Sequence, residues 1–342
     1  MSTPVAATPG REIANIAIPV SLEFVFILLL NFINQIVVGA LGAVAVASVG
    51  LVNSLNLIPT FTLGALGASA AILVARAYGA KREKELNTVV SSALIAGFVI
   101  SLVVAVPLAL IPAEILKACG ASADVLKDGP IYMAVLSLSL PFAVLAEIFS
   151  GILRSADHAR SPMVATIITT VLNTPIAIIL VFGWFGIPAM GIVGAAWATL
   201  IICIIKAAVM AYQTYGLYRI AGWETPGNWV SWKLVLVPLF VLGIPLALTT
   251  IFWTSGNFIY NIIAQQISND ALAVLQIFGS LEAVFFVASL GLMSAVTALA
   301  GRAVGAGDGA LAQAWIAKIK RAGVYTGIAF GVLFAGSAFA VP

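Results

Sequence analysis

Apolar runs of eighteen or more residues recur along this chain from end to end, separated only by short polar breaks. An α-helix rises about 1.5 Å per residue, so about 20 apolar residues cross the hydrocarbon of a bilayer. Backbone groups find no water there and must bond one another, which leaves helices or closed barrels. A barrel alternates with period two, and these runs do not. The pattern predicts an all-α polytopic membrane protein with about nine transmembrane helices. They lie near 13–39, 43–75, 86–112, 130–153, 162–185, 189–218, 233–267, 271–301 and 314–341. Only 8% of residues are charged, where a soluble domain carries about 25%, so no separate soluble domain is visible.

Residues 1–10 carry no positive charge and the first apolar run is too long for a signal peptide, so it reads as a retained span. Basic residues fall on one side of the nine-span topology: Arg11, Arg76, Lys81, Arg82, Lys84, Arg154, Arg160, Arg219, Lys233, Arg302, Lys318, Lys320 and Arg321. Lys117 and Lys127 fall on the other side, and Lys206 lies within a span. The positive-inside rule then places the N-terminus in the cytoplasm and the C-terminus outside the cytoplasmic membrane. These charges set topology and imply no nucleic-acid partner. Cys119 and Cys203 are placed too differently to pair.

Shifting the chain by 226 residues superposes it on itself. Ile18-Pro19 falls on Ile244-Pro245, Asn31-Phe32-Ile33 on Asn257-Phe258-Ile259, and Ser54-Leu55 on Ser280-Leu281. Arg76-Ala77-Tyr78-Gly79-Ala80 falls on Arg302-Ala303-Val304-Gly305-Ala306. No gap is needed from 18 to 80, and 18 of the 63 positions are identical, self-similarity of the kind that marks repeat architecture. Six spans separate the copies, so the repeats are parallel, the plan of many secondary transporters. The organisation expected is an N-terminal lobe at 1–219 (six spans), an interlobe linker at 220–232, and a partial C-terminal lobe at 233–342 (three spans). The second six-helix repeat is thus expected to be incomplete. Trp223, Trp229 and Trp232 in the linker suit headgroup depth.

Asn31, Asn34 and Gln35 share one helix face by i, i+3, i+4 spacing, and their repeat counterparts are Asn257, Tyr260 and Asn261. Matched polar faces in two lobes read as cavity walls, or equally as interhelical hydrogen bonding that serves packing. Glu23, Glu147, Glu282 and Lys206 are intramembrane charges and therefore candidates for ion coupling, with Glu282 the foremost and Lys206 expected either to snorkel or to pair with an acid such as Glu147. Small residues around Gly67 and Gly194 read as close helix packing. One histidine, His158, and the absence of any metal-ligand spacing, Gly-rich phosphate loop or ATPase motif argue against an enzyme.

Several stretches resemble the MATE (multidrug and toxic compound extrusion) family. They are Phe32-Ile33-Asn34-Gln35-Ile36-Val37-Val38-Gly39-Ala40-Leu41-Gly42 in the first span and Leu73-Val74-Ala75-Arg76-Ala77-Tyr78-Gly79-Ala80 after the second. Gly151 to Pro162, with Arg154, Asp157, His158 and Arg160, resembles the loop between spans four and five, and Gly191 to Thr199 the sixth helix. The resemblance implies twelve helices in two lobes around a central cavity, and export of amphipathic, often cationic, organic molecules in exchange for H+ or Na+. It adds Asn173 to the cavity residues. Where proton-coupled members carry acids, this chain has Asn34 and Ala177. Coupling is therefore expected at Glu23 or Glu282, in helices beyond these nine, or not at all.

The function expected is ion-coupled (H+ or Na+) efflux of drug-like compounds, by a monomer in contact with membrane lipid and a small organic substrate. A lipid-linked oligosaccharide flippase of the same superfamily is the rival, and would need many buried arginines for pyrophosphate. A non-transporting scaffold is the third reading.

Overall fold

The computed structural model describes residues 9–267 and 269–337 of the 342-residue chain. Among them are eleven α-helices: α1 (Pro9–Gly39), α2 (Ala43–Gly79), α3 (Glu83–Leu110), α4 (Pro112–Ala118), α5 (Val125–Ser137), α6 (Leu140–Ser155), α7 (Arg160–Phe182), α8 (Ile192–Ala211), α9 (Trp229–Ile267), α10 (Asn269–Gly305) and α11 (Gly309–Ser337). One π-helix, Tyr212–Leu217, continues α8. Local chemistry sets the breaks. Proline cannot donate to the turn before it, so Pro112 opens α4 and Pro141 lies in the first turn of α6. Gly183 ends α7 in the left-handed conformation, its N–H bonded to Ile179 O at 2.9 Å. Pro19 and its repeat counterpart Pro245 both lie inside unbroken helices.

Among the described residues, eight helical segments are long and apolar enough to cross a membrane, with α5 and α6 together making the fourth, Val125–Ser155. This is a multi-pass membrane protein. The seventh and eighth crossings lie within α9 and α10. The expected ninth run lies in α11. Lys318, Lys320 and Arg321 charge the middle of that helix, and residues 338–341 of the expected run lie outside the described residues. The linker is shorter than expected, because α9 is helical from Trp229.

The repeat is visible in the packing. α1 and α9 are counterparts, as are α2 and α10. α1 packs on α10 and α2 packs on α9, the same contact met twice, while α2 and α10 pack on each other. Gly79 lies against the backbone of Arg302, and Gly305 against the backbone of Arg76. These four residues are two pairs 226 positions apart, so a pseudo-two-fold axis runs between α2 and α10. A side chain at either glycine would strike backbone, which explains why both copies keep glycine there. The small-residue segments also pack closely: Gly67 on the Glu147 backbone and Gly194 on the Leu180 backbone.

Three apolar clusters hold the bundle. The largest joins α2, α3, α6 and α8 through residues such as Val74, Val90, Ile148, Ile152 and Met210. The second joins α1 to the other lobe, with Ile13, Ile16 and Val20 against Ala295, Ala298, Leu299, Trp315 and Ile319. α1 therefore belongs to the first lobe by sequence and packs on the second, a position that matters below. The third cluster closes the opposite end of the first lobe around Leu116, Met133 and Ala196.

Candidate ion-coupling site

Glu23 lies in the middle of α1 with no exposed side-chain surface. A bare carboxylate in hydrocarbon is costly, so its partners define the site. Arg154 Nη2 of α6 donates to Glu23 Oε2 at 2.7 Å. Thr166 Oγ1 of α7 and Ser150 Oγ of α6 donate to Oε1 at 3.2 and 3.4 Å. Lys206 Nζ of α8 stands 4.0 Å from Oε1, at the limit of an ion pair. One carboxylate thus gathers groups from three other spans of the first lobe. The cations are well buried too, with side chains 12% exposed for Arg154 and 16% for Lys206.

Helical spacing explains the arrangement. Ser150 and Arg154 are four residues apart on one face of α6, with Glu147 one turn earlier on the same side. Thr166, Thr170 and Asn173 form a similar stripe on α7, all buried. Farther along the α1–α7 seam, Asn173 Nδ2 donates to Asn34 Oδ1 at 2.9 Å. The seam is polar at both ends, a carboxylate cluster at one and an amide pair at the other. Thr170 Oγ1 lies between them without a hydrogen-bond partner among the described residues, and so does Arg154 Nε within the cluster. Buried polar atoms without partners are uncommon, and two of those among the described residues lie on the Glu23 seam.

On the linker side the lobes are joined by an ion pair, Arg302 Nη1 to Asp157 Oδ1 at 3.1 Å. Beside it His158 stacks on Tyr218 with ring centroids 3.9 Å apart, and Ser161 Oγ donates to Tyr218 Oη at 2.8 Å. Burial pushes His158 below its ordinary value, and the charge of Asp157 opposes that shift.

A family model, MatE, matches residues 19–179 and 245–341. The chain belongs to the MatE family. The two matched segments begin at the repeat-related prolines Pro19 and Pro245. A probable multidrug resistance protein YoeA of Bacillus subtilis is 28% identical over 302 residues, covering 87% of this chain and 65% of that protein. A probable multidrug resistance protein NorM of Thermotoga maritima is 28% identical over 316 residues, covering 90% of this chain and 67% of the relative. The chain spans about two thirds of the length of these relatives. A crystal structure of MATE in the bent conformation superposes with a TM-score of 0.84 at 21% identity, covering 94% of this chain and 71% of that one. At that identity the likeness concerns the fold. The MatE family is one of transport proteins, not enzymes.

Within this MatE fold the residues anticipated from sequence divide. Glu23 is buried at the centre of the cluster, and Asn34 meets Asn173. Asn31 and Gln35 are exposed, on the same helix but away from that pair. Asn257 is exposed and donates to its own helix at Trp253 O, 3.0 Å, and Tyr260 is exposed. The side chain of Asn261 lies outside the described residues. Glu282 is exposed and Glu147 half-buried. Glu282 has Asn56 as its repeat counterpart and Glu23 has Thr249, so neither carboxylate is duplicated.

One expectation is made specific and one is corrected. The acid that Lys206 faces is Glu23 of α1. Arg154 was grouped with the topology-setting charges. It is instead still inside α6, which runs to Ser155, and is buried against Glu23. The signal that could have found it is the Ser150–Arg154 spacing facing an acid on another span. A single guanidinium already matched by a carboxylate does not make the arginine-rich groove that pyrophosphate requires.

Proposed function

We propose that this chain forms the larger part of a proton-coupled exporter of amphipathic, cationic organic compounds in the cytoplasmic membrane, with its N-terminus in the cytoplasm. The names of the MatE relatives support export of drugs, and the distribution of basic residues supports the orientation. The observation that carries the coupling is the Glu23 cluster.

Glu23 already faces two cations, Arg154 and Lys206. A third cation such as Na+ would meet the positive charge of both, whereas a proton on Glu23 removes the anion that Arg154 and Lys206 both face among the described residues. Arg154 then keeps the field of Glu147 alone and the cluster carries excess buried positive charge, an arrangement that drives the two cations apart. α1 transmits the change, because it also packs on the second lobe. Ser21, two residues from Glu23, donates to Val287 O of α10 at 3.3 Å, and Gly291 of α10 seats against Ala17 and Ser21. Protonation thus loosens α1 from α6 and α7 and shifts the helix that forms the interlobe contact. Polar walls at Asn34 and Asn173 give organic cations hydrogen-bond acceptors without a competing charge.

Proteoliposomes loaded with a fluorescent organic cation test this. An imposed pH gradient drives its movement and a sodium gradient of equal size does not. Sodium-driven movement with no response to the pH gradient would overturn the coupling assignment.

A further inference from the structure

A groove of about 510 Å³ runs along the outside of the first lobe, lined from α3, α6, α8 and the π-helix. No residue of α1, α9, α10 or α11 lines it, so it is separate from the interlobe face and from the Glu23 seam. Its walls are aromatic, with Phe98, Phe142 and Phe149, and its floor is small, with Ala207, Ala208 and Ala211. Three alanines on neighbouring turns of α8 leave the space that larger side chains would fill.

The linker end of the groove is built. α8 passes into the π-helix Tyr212–Leu217, an uncommon geometry that tends to occur at functional sites. It brings Tyr215 into the lining, edge-on to Phe149 at 6.2 Å and tilted against Trp223 at 6.2 Å. Trp223 belongs to the linker, yet its backbone neighbours are fixed on both sides. Gly222 N donates to Asn87 Oδ1 at 2.7 Å, and Glu224 N to Ser91 Oγ at 3.0 Å. Trp223 is thereby held at the mouth, where its ring is 62% exposed.

Length selects the occupant. The lining on α8 and the π-helix runs from Ile204 to Tyr215, positions eleven apart, or about 16 Å of helix axis. One leaflet of a bilayer has hydrocarbon about 15 Å deep, half of the whole core. Apart from Trp223, every lining residue lies in a membrane-crossing segment, and Trp223 sits where tryptophan sits at the headgroup boundary. We infer that the groove is a binding site for one acyl chain of a phospholipid from the leaflet on the linker side, with Trp223 at the glycerol level. The chain lies between Phe98 and Phe149 over the alanine floor. It tethers α3, α6 and the end of α8 from outside the bundle.

Photocrosslinking tests the site. The protein is reconstituted in vesicles of phosphatidylethanolamine and phosphatidylglycerol containing a little phospholipid with a diazirine on its acyl chain, and labelled peptides are mapped by mass spectrometry. Labelling is expected to be severalfold higher on 94–99, 142–149 and 204–215 than on the exposed Val103–Val106 face of α3. The double variant Ala208→Trp/Ala211→Phe fills the groove and is expected to lose that excess while labelling at Val103–Val106 persists. Wild-type labelling no higher in the groove than on the α3 face overturns the site, whatever the variant does. Excess labelling removed by a soluble organic cation at transport concentrations also overturns it, because the groove then belongs to the exported compound.

Discussion

Ala75 and Gly301, 226 positions apart in sequence, lie against each other: a Cβ on Gly301 would stand 2.7 Å from that of Ala75. A residue touches its own repeat counterpart only where the symmetry axis passes. The α2–α10 contact is therefore the centre of the interlobe interface, and the reciprocal contacts of Gly79 with Arg302 and of Gly305 with Arg76 lie just beyond it.

Cysteines at this centre are expected to lock the lobes. Disulfides need Cβ atoms about 3.8 Å apart, so the helices must part only slightly. Ala75→Cys/Gly301→Cys, in a background with Cys119 and Cys203 replaced by alanine, should crosslink under mild oxidation and stop transport until reductant is added. Full crosslinking with undiminished transport would mean that the lobes do not separate here.

Gly79→Ala and Gly305→Ala should destabilise by similar amounts, because each added methyl meets the backbone of the same symmetric contact. Overpacking of this kind costs about 1–3 kcal/mol. Thermal unfolding in detergent, followed by tryptophan fluorescence, checks it. A large loss at one glycine and none at the other would contradict the symmetric packing.

Removing one partner of the buried Glu23–Arg154 pair should cost about 3–5 kcal/mol, since the other charge stays buried without compensation. Glu23→Gln/Arg154→Gln should recover much of what either single change loses. Additive losses in a double-mutant cycle would show that the two side chains do not interact as the 2.7 Å contact indicates.

His158 supplies a pH dependence outside the membrane spans. Its pKa in the folded protein is lowered from 6.5. Between that lowered value and 6.5 the unfolded chain binds more protons than the folded one, so stability rises with pH there. Acidification through this window should lower the unfolding temperature, and His158→Phe, which retains a ring to stack on Tyr218, should remove that part of the loss. An identical acid dependence in the variant would exclude His158 as its source.

Much of this architecture was legible before any coordinates. The apolar runs gave the spans, because hydrocarbon leaves few alternatives to a helix of that length. The repeat gave two parallel copies, because Arg76, Gly79, Arg302 and Gly305 are not generic lipid-facing residues; that the copies pack on each other reciprocally came from the structure. The site was legible only in part. Glu23 was visible as an intramembrane acid and Asn34 as a polar face, but their partners come from α6, α7 and α8, at sequence separations of more than 120 residues. Helical periodicity states which residues share a face and is silent on which faces meet. That is why Arg154 read as a topology signal and Lys206 had no definite partner. Glu282 ranked above Glu23 for the same reason: depth in an apolar run does not give burial, and α10 leaves Glu282 exposed.

The coupling role of Glu23 is tested most directly by counting protons. Purified protein in weakly buffered detergent solution is mixed with an organic cation, and proton release is followed with a pH indicator. If the proton that drives export resides on Glu23, wild type releases protons on binding and Glu23→Gln releases none while still binding the cation. Equal proton release from Glu23→Gln and wild type would place the coupling carboxylate elsewhere and contradict the mechanism.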